Sequence, residues 1–251
     1  EFEGREVSLV FDAAMADSVV YLNGEEIIAH KDGYTPFEAR LTGKLAKGEN
    51  LVTVKIDGSE NPDIPPFGGR IDYLTYAGIY RDVWLKVTDP VSIRNLKIET
   101  TDVLRPQKSA TVRVDIANPE SRSFSATVTA TLKQADGTVV ATAATETIGS
   151  RTTLSFGGLT GITLWDITDP TLYDVTVELR TEHGSDRIST RFGFRTAEFT
   201  PEGFLLNGKP LKLRGLNRHQ SFPYVGYAAG RSAQERDADI MKTVLKCNIV
   251  R

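Results

Sequence analysis

Hydrophobic and polar residues alternate with a period of two along most of this chain. The alternation is clear over residues 7–11, 52–56, 112–116 and 173–179, where aliphatic or aromatic residues take every second position. This period gives each strand one apolar and one polar face, as in antiparallel sheets with one face in water. The pattern therefore predicts a mainly β protein.

Short turn signals separate several of these runs. Asn23-Gly24, Asp136-Gly137 and Asn207-Gly208 each lie between two stretches of strand-like sequence. Two-residue hairpin turns need positive φ angles, which Asn, Asp and Gly tolerate better than other residues. Many short strands joined in this way predict β-sandwiches.

Composition divides the chain into three segments. Thr88-Asp89-Pro90 ends one series of strands, and a second break lies near Arg195-Thr196-Ala197. We therefore predict one β domain over residues 1–90 and another over residues 91–198, with a different segment over residues 199–251.

Residues 199–251 show a different pattern, which includes a helix. Leu211–Leu216 reads as a strand, and Ser232-Ala233-Gln234-Glu235 has the spacing of a capping box at a helix start. An apolar stripe over residues 240–245 follows, and a new strand begins at Asn248. A strand, a loop, a helix and a strand together predict a parallel βα unit.

Charge and composition argue against two classes of protein, those that bind nucleic acid and those that span a membrane with helices. The 251 residues carry 30 Lys and Arg against 33 Asp and Glu, a net charge of −3, so the basic surface of a nucleic-acid-binding protein is missing. No apolar run approaches the roughly 20 residues of a membrane helix. Cys247 is the single cysteine, which excludes an intrachain disulfide. We therefore expect neither nucleic acid nor a membrane as a partner.

Two residues are candidates for binding chemistry. His219 follows a predicted parallel strand, and the carboxyl ends of such strands face active sites, although local hydrogen bonds would equally explain it. Asp72 lies among apolar and aromatic residues in a long loop, where it accepts hydrogen bonds from its own loop or from a ligand. His30 and His183 stand beside turn residues, and we predict that both are solvated.

Three stretches together resemble glycoside hydrolase family 2, the family of β-galactosidases and β-glucuronidases. They are residues 76–85 (YAGIYRDVWL), residues 164–173 (LWDITDPTLY), and residues 204–219, which end in Asn217-Arg218-His219. The resemblance implies a jelly-roll sugar-binding domain, an immunoglobulin-like β-sandwich and then the first βα unit of a truncated (β/α)8 TIM barrel. The chain also begins and ends in strand-like sequence, so we expect an excerpt of a longer protein.

The resemblance also implies a reaction and a set of site residues. Members hydrolyse β-glycosides with retention, using two glutamates on later barrel strands. Both positions lie beyond Arg251, so we assign no catalytic residue and no metal site to this chain. Asp72 and His219 match sugar-contacting residues of the family, and Arg251 matches an arginine that supports the nucleophile. No cofactor is expected in this chain, while a divalent metal belongs to the metal-dependent full-length members.

The expected partner is a β-glycoside or oligosaccharide substrate, and the resemblance further implies a homo-oligomer. A β-galactosidase is our first interpretation. Gln220 stands where many β-galactosidases have Glu, and residues 72–78 are similar to the β-glucuronidase version, so a β-glucuronidase is the alternative. A stand-alone carbohydrate-binding module and an adhesive immunoglobulin-like protein also stay open. A cytoplasmic location is favoured, with export left open.

Overall fold

The computed structural model describes residues 2–69, 71 and 73–251, in which the chain forms twenty strands and one α-helix. The mainly β class predicted from the period-two pattern is confirmed. The chain divides into two compact units. The first unit comprises residues 2–87 together with Arg214–Arg251, and the second unit comprises Thr88–Leu213. The three predicted domains, over residues 1–90, 91–198 and 199–251, stay a prediction.

The first eight strands build three small antiparallel sheets. Their bounds are β1 Glu6–Phe11, β2 Ala14–Met15, β3 Asp17–Leu22, β4 Glu25–Lys31, β5 Phe37–Arg40, β6 Val52–Asp57, β7 Gly78–Ile79 and β8 Val83–Thr88. The sheet orders are β5-β1-β8, β4-β3-β6 and β2-β7. The apolar positions of the first two sheets share one core, which includes Val7, Phe11, Val20, Leu22 and Phe37.

The turn between β3 and β4 follows the sequence signal. Asn23 and Gly24 have φ angles of 52° and 88°. Positive φ at both central residues is the geometry of a type I′ turn, whose twist matches that of the flanking strands. The predicted hairpin at Asn23-Gly24 is therefore confirmed.

The second unit is built from ten further strands. Their bounds are β9 Ser92–Thr101, β10 Lys108–Ala117, β11 Ala126–Gln134, β12 Val139–Thr147, β13 Arg151–Leu159, β14 Tyr173–Thr181, β15 Gly184–Phe192, β16 Ala197–Thr200, β17 Gly203–Leu206 and β18 Lys209–Pro210. They form the antiparallel sheets β13-β10-β9, β12-β11-β14-β15 and β16-β17-β18. Asn207 and Gly208, with φ angles of 52° and 73°, join β17 to β18 as the sequence predicted.

The core of the second unit lies between the sheets β13-β10-β9 and β12-β11-β14-β15. Leu132 on β11 pairs with Val175 on β14, both are fully buried, and β10 contributes Val112 and Val114. Period-two alternation makes this packing possible, because every second side chain of each strand points into the same core. This two-sheet arrangement is the architecture that the sequence predicted for the middle of the chain.

The remaining elements belong to the first unit. They are β19 Gly215–Leu216, α1 Arg231–Asp239, a π-helical turn Ile240–Val244 and β20 Ile249–Val250. β19 and β20 pair in parallel, with Gly215 opposite Ile249. A Cβ on Gly215 would lie 2.4 Å from the Ile249 carbonyl oxygen, so the close approach of the two strands requires glycine here.

Two details of this segment differ from the sequence predictions. The strand expected over Leu211–Leu216 is confined to Gly215–Leu216. The helix begins at Arg231 after an extended Gly230, and no side chain caps it, so the predicted capping box at Ser232 is wrong. In the part of the chain that the structure describes, no helix is long and apolar enough to cross a membrane.

Candidate functional site

Asp72, the predicted sugar-contacting carboxylate, lies outside the described residues, but its two neighbours in the sequence are described. Ile71 and Tyr73 are partly buried and pack against a small apolar cluster in the first unit. The buried members of that cluster are Met15, Ala16, Ile64, Phe67 and Tyr227. The segment on both sides of Asp72 is therefore anchored in a core.

His219 lies three residues beyond the end of β19, and its ring contacts this same segment. The His219 and Tyr73 ring centroids are 5.2 Å apart, with an angle of 39° between the planes. Although His219 and Tyr73 are far apart in sequence, the first unit brings them together. The structure therefore brings the predicted residue His219 beside the segment that carries Asp72.

Five of the eight tyrosines of the chain gather in this part of the first unit, and we call them the tyrosine cluster. They are Tyr34, Tyr73, Tyr76, Tyr80 and Tyr227. Tyr227 is the buried member, and it meets the rings of Tyr76 and Tyr80 edge-on at centroid distances of 5.0 and 5.6 Å. Edge-to-face contact is a favourable arrangement for aromatic pairs.

The hydroxyl groups of the tyrosine cluster are hydrogen-bonded within the first unit. The phenol oxygens of Tyr34 and Tyr73 are 3.2 Å apart. Tyr80 donates to the Gly33 carbonyl at 2.6 Å, and Tyr227 donates to the Leu74 carbonyl at 2.6 Å. Gly33 precedes Tyr34 in the sequence, and Leu74 follows Tyr73. The hydroxyls of Tyr80 and Tyr227 therefore hold the backbone next to the two tyrosines whose phenol oxygens are in contact.

Burial raises the pKa of three phenols of the tyrosine cluster. It raises the pKa of Tyr34, which the hydrogen bond with Tyr73 raises further. Burial also raises the pKa of Tyr80 and of Tyr227 above the usual tyrosine value. A tyrosine is neutral at physiological pH even at its ordinary pKa, and the raised pKa extends that neutral range, so these hydroxyls act as donors in the hydrogen bonds above.

An ion pair fixes the end of β19 that carries His219. Arg218 donates from Nε and Nη2 to one carboxylate oxygen of Asp237 on α1, at 2.9 and 2.7 Å. The pair is mostly buried, with exposed side-chain fractions of 21% for Arg218 and 31% for Asp237. Partial burial strengthens such a charge-assisted contact relative to one in open water.

Arg251, the predicted nucleophile-supporting residue, lies at the end of the neighbouring strand. The Arg218 amide donates to the Arg251 carbonyl at 2.8 Å, and the Arg251 amide donates to the Leu216 carbonyl at 3.0 Å. His219 and Arg251 therefore both follow the carboxyl ends of adjacent parallel strands. A concavity of about 250 Å³ beside His219 is lined by Leu216, His219, Asp237 and Met241, among others.

The other two histidines have structural contacts. His30 stacks on Phe37 with ring centroids 4.3 Å apart, and the His183 Nε2 atom lies 2.8 Å from the Ser123 carbonyl oxygen. Both side chains are partly buried, so the prediction that they are solvated was wrong. Their partners come from other strands or loops, which the local turn signals beside each histidine do not reveal.

The tyrosine cluster was not predicted from the sequence. The signal was present as Tyr73, Tyr76 and Tyr80 within the loop of Asp72, and as Tyr34 in a turn after Asp32. Each tyrosine alone is compatible with an ordinary loop, and only their meeting with Tyr227 distinguishes them. Among the described residues, no group of three or more His, Cys, Asp or Glu is arranged to hold a metal ion.

Two family models match consecutive parts of the chain. The model for the glycosyl hydrolases family 2 sugar-binding domain matches residues 2–90, and a second model, glycosyl hydrolases family 2, matches residues 91–195. The chain therefore belongs to glycosyl hydrolase family 2. The resemblance inferred from the three sequence stretches is confirmed.

Particular relatives agree with this assignment. The chain is 61% identical over 223 residues to a β-galactosidase of Rhizobium meliloti. The match covers 88% of this chain and 30% of that protein. It is 43% identical to a β-galactosidase of Thermoanaerobacterium thermosulfurigenes over all of this chain and 36% of that protein. The chain thus spans about a third of the length of the curated relatives it matches.

A solved structure shows the same fold. The β-glucuronidase 2 of Bacteroides uniformis, covalently bound to cyclophellitol-6-carboxylate aziridine, matches with a TM-score of 0.88 and 29% identity. The match covers all of this chain and 31% of that one.

Proposed function

We propose that the full-length protein carrying this chain is a retaining β-glycosidase, and that its substrate is a β-galactoside. The observation that carries the proposal is the contact of His219 with Tyr73, which brings together the two sequence segments expected to meet the sugar. Family membership and the two β-galactosidase relatives support the reaction class and the choice of sugar.

Within that protein, this chain would bind substrate and support the fold. In a retaining glycosidase two carboxyl groups about 5–5.5 Å apart act as acid/base and nucleophile. Both glutamates are expected beyond Arg251, on later strands of a (β/α)8 barrel that residues 199–251 would begin. Asp72 and His219 would contact the sugar, and Arg251 would favour the ionised nucleophile.

A β-glucuronidase is the second candidate. Its support is the structural match to the β-glucuronidase of Bacteroides uniformis. A glucuronide carries a carboxylate that needs a cationic or donor-rich partner, whereas a galactoside presents hydroxyl groups. The β-galactosidase relative at 61% identity favours the galactoside.

The test is a comparison of chromogenic substrates with the full-length protein. We expect turnover of a β-galactoside and a kcat/KM at least tenfold lower for the corresponding β-glucuronide. The opposite ratio would establish the glucuronidase alternative, and no turnover of any β-glycoside would refute the proposed reaction. This chain alone is expected to hydrolyse neither substrate, and measurable turnover by it would show that the catalytic carboxylates lie within residues 1–251.

Variants of the two sugar-contacting residues sharpen the test. Asp72→Ala and His219→Ala in the full-length protein should each lower kcat/KM about tenfold or more, because each removes a hydrogen-bonding partner of the sugar. His183→Ala removes an imidazole from the second unit and is the matched control, for which we expect unchanged kinetics. The homo-oligomer stays a prediction, which size-exclusion chromatography of the full-length protein tests.

A further inference from the structure

We propose that Tyr34 and Tyr73 form a positioning pair that fixes the orientation of the His219 ring. The inference rests on the proposed function, because it concerns how the sugar-facing histidine is prepared for substrate. It assigns a role to two residues that are themselves not expected to take part in the chemistry.

Tyr73 connects the other two residues through different parts of its side chain. Its hydroxyl lies 3.2 Å from the Tyr34 hydroxyl, and its ring faces His219 at 5.2 Å. A displacement of the Tyr73 ring would therefore change the surface against which His219 rests. The hydrogen bond with Tyr34 restrains that displacement.

The backbone on both sides of the pair is held by the other hydroxyls of the tyrosine cluster. Tyr80 holds the Gly33 carbonyl beside Tyr34, and Tyr227 holds the Leu74 carbonyl beside Tyr73. Leu74 itself is 72% exposed and lies outside any strand, so this segment gains its order from these bonds rather than from a sheet. The pair therefore joins two loops, and a hydrogen bond to the backbone next to each tyrosine supports it.

The Tyr73 ring is a contact of the His219 side chain within this chain. The backbone beside His219 is fixed, since Arg218 bonds both Asp237 and Arg251, but the His219 side chain is exposed. An exposed side chain samples several rotamers and loses that freedom when it binds a ligand. Contact with an immobilised Tyr73 ring reduces this cost, which is the general advantage of preorganised binding groups.

The first experiment removes the phenol–phenol hydrogen bond from either side. Tyr34→Phe and Tyr73→Phe in the full-length protein keep both rings, and each should lower kcat/KM roughly three- to tenfold, the range expected for one hydrogen bond. The double variant should be no worse than the poorer single variant, because both changes remove the same interaction. Tyr224→Phe makes the same change at a fully exposed side chain and should leave kcat/KM unchanged.

The second experiment separates positioning from general support of the fold. In a His219→Ala background, Tyr34→Phe should cause no further loss of kcat/KM, because the residue through which it acts is gone. A purely structural role would reduce kcat/KM by the same factor in both backgrounds. Tyr73→Leu, which removes the ring, should lower kcat/KM more than Tyr73→Phe when His219 is present.

A spectroscopic measurement tests the contact without activity. In full-length protein labelled at histidine, the His219 imidazole signal is assigned by its loss in His219→Ala. Tyr73→Leu should move this signal by removing the ring current, and Tyr34→Phe should move it less. An unmoved signal in both variants would refute the inference even if the protein hydrolyses β-galactosides. Conversely, moved signals in a protein without turnover would refute the proposed function and leave the positioning pair standing.

Discussion

The core of the second unit and the tyrosine cluster of the first unit achieve order in different ways. The second-unit core is mostly aliphatic, and its strands β11 and β14 pack by simple alternation. The tyrosine cluster lies largely on loops, and its order depends on hydroxyl groups that bond to Gly33, Leu74 and one another. The first arrangement tolerates any apolar side chain of similar volume, whereas the second requires particular atoms at particular places.

The two regions are expected to contribute to different properties, the second-unit core to stability and the tyrosine cluster to sugar binding. An aliphatic core contributes burial free energy roughly in proportion to its area, with little directional preference. Hydrogen-bonded phenols contribute modestly to stability but fix directions, which a binding site needs. We therefore expect substitutions in the second-unit core to change the free energy of unfolding most, and substitutions in the tyrosine cluster to change kcat/KM most.

The largest loss of stability is expected for Phe194→Ala. Phe194 is fully buried in the second unit and meets the Tyr173 and Phe192 rings at 5.3 and 5.0 Å. Its removal should lower the free energy of unfolding by about 3–5 kcal/mol. Urea unfolding of residues 1–251 in a Trp84→Phe background, where Trp165 is the remaining tryptophan of these residues, measures this for the second unit.

The matched control for this change is Phe199→Ala, whose side chain is 79% exposed. It should cost less than about 1 kcal/mol. In the full-length protein, Phe194→Ala should leave kcat/KM unchanged as long as the protein is folded. A large loss of kcat/KM without unfolding would show that the second-unit core also shapes the sugar site.

A smaller loss of stability, with a greater loss of activity, is expected for Gly226→Ala. Gly226 has a φ of 55°, and a Cβ there would lie 2.9 Å from the Tyr76 ring. Left-handed backbone and crowding against the tyrosine cluster together should cost about 2 kcal/mol. Trp84 fluorescence of residues 1–251 in a Trp165→Phe background reports the unfolding. In the full-length protein, kcat/KM should fall as the cluster shifts.

Gly69→Ala provides the control, because a Cβ at Gly69 meets no atom within 4 Å. It should leave both stability and kcat/KM nearly unchanged. Equal behaviour of the two glycine variants would mean that the packing of Tyr76 has no bearing on the site.

A still smaller effect is expected for Arg218→Ala. Removing Arg218 leaves the partly buried Asp237 without its two hydrogen bonds, which should cost about 1–2 kcal/mol. Arg231→Ala is the comparison, since its ion pair with Glu235 has exposed fractions of 90% and 62% and should contribute less than about 0.5 kcal/mol. Chemical unfolding of both variants tests the difference, and equal losses would contradict the greater strength of the buried pair.

The smallest effect concerns pH and belongs to the second unit. The hydrogen bond from Arg151 holds the pKa of the Asp115 carboxyl below its usual range. The unfolded chain binds that proton at higher pH than the folded chain does. The contribution of Asp115 to stability is therefore present above about pH 4 and is lost as the pH falls through its folded pKa.

Asp115→Asn should consequently flatten the decline of the urea midpoint between pH 5 and about pH 3. Glu198→Gln removes an exposed carboxylate from the same unit and should leave the decline as it is in the parent chain. An unchanged decline in Asp115→Asn would show that the pair with Arg151 carries no pH-dependent stability.

Local features of the fold could be predicted from the sequence because their causes are local. Period-two alternation predicts β10 and β14, and the turns at Asn23 and Asn207 follow from the tolerance of these residues for positive φ. The capping box failed for an equally local reason. Glu235 accepts a hydrogen bond from Arg231 at 2.7 Å instead of turning back towards Ser232.

The candidate site was predictable only in part. His219 and Asp72 could be selected because motif and composition mark them in the sequence. The tyrosine cluster could not, because Tyr34, Tyr73 and Tyr227 meet only after folding and no periodic pattern links them. Contacts across long stretches of chain depend on tertiary packing, which single-sequence patterns do not encode.

The division of the chain into two units has a consequence for protein synthesis. The second unit is one continuous stretch, Thr88–Leu213, whose neighbouring strands are mostly close in sequence. The first unit is interrupted by it, and the hydrogen bond from Tyr227 to Leu74 joins residues 153 positions apart. Short-range contacts form early and long-range contacts late, and a nascent chain emerges from its amino end. The whole second unit therefore leaves the ribosome before Tyr227 does, and we expect it to fold before the aromatic residues near Tyr34 gain their last partner.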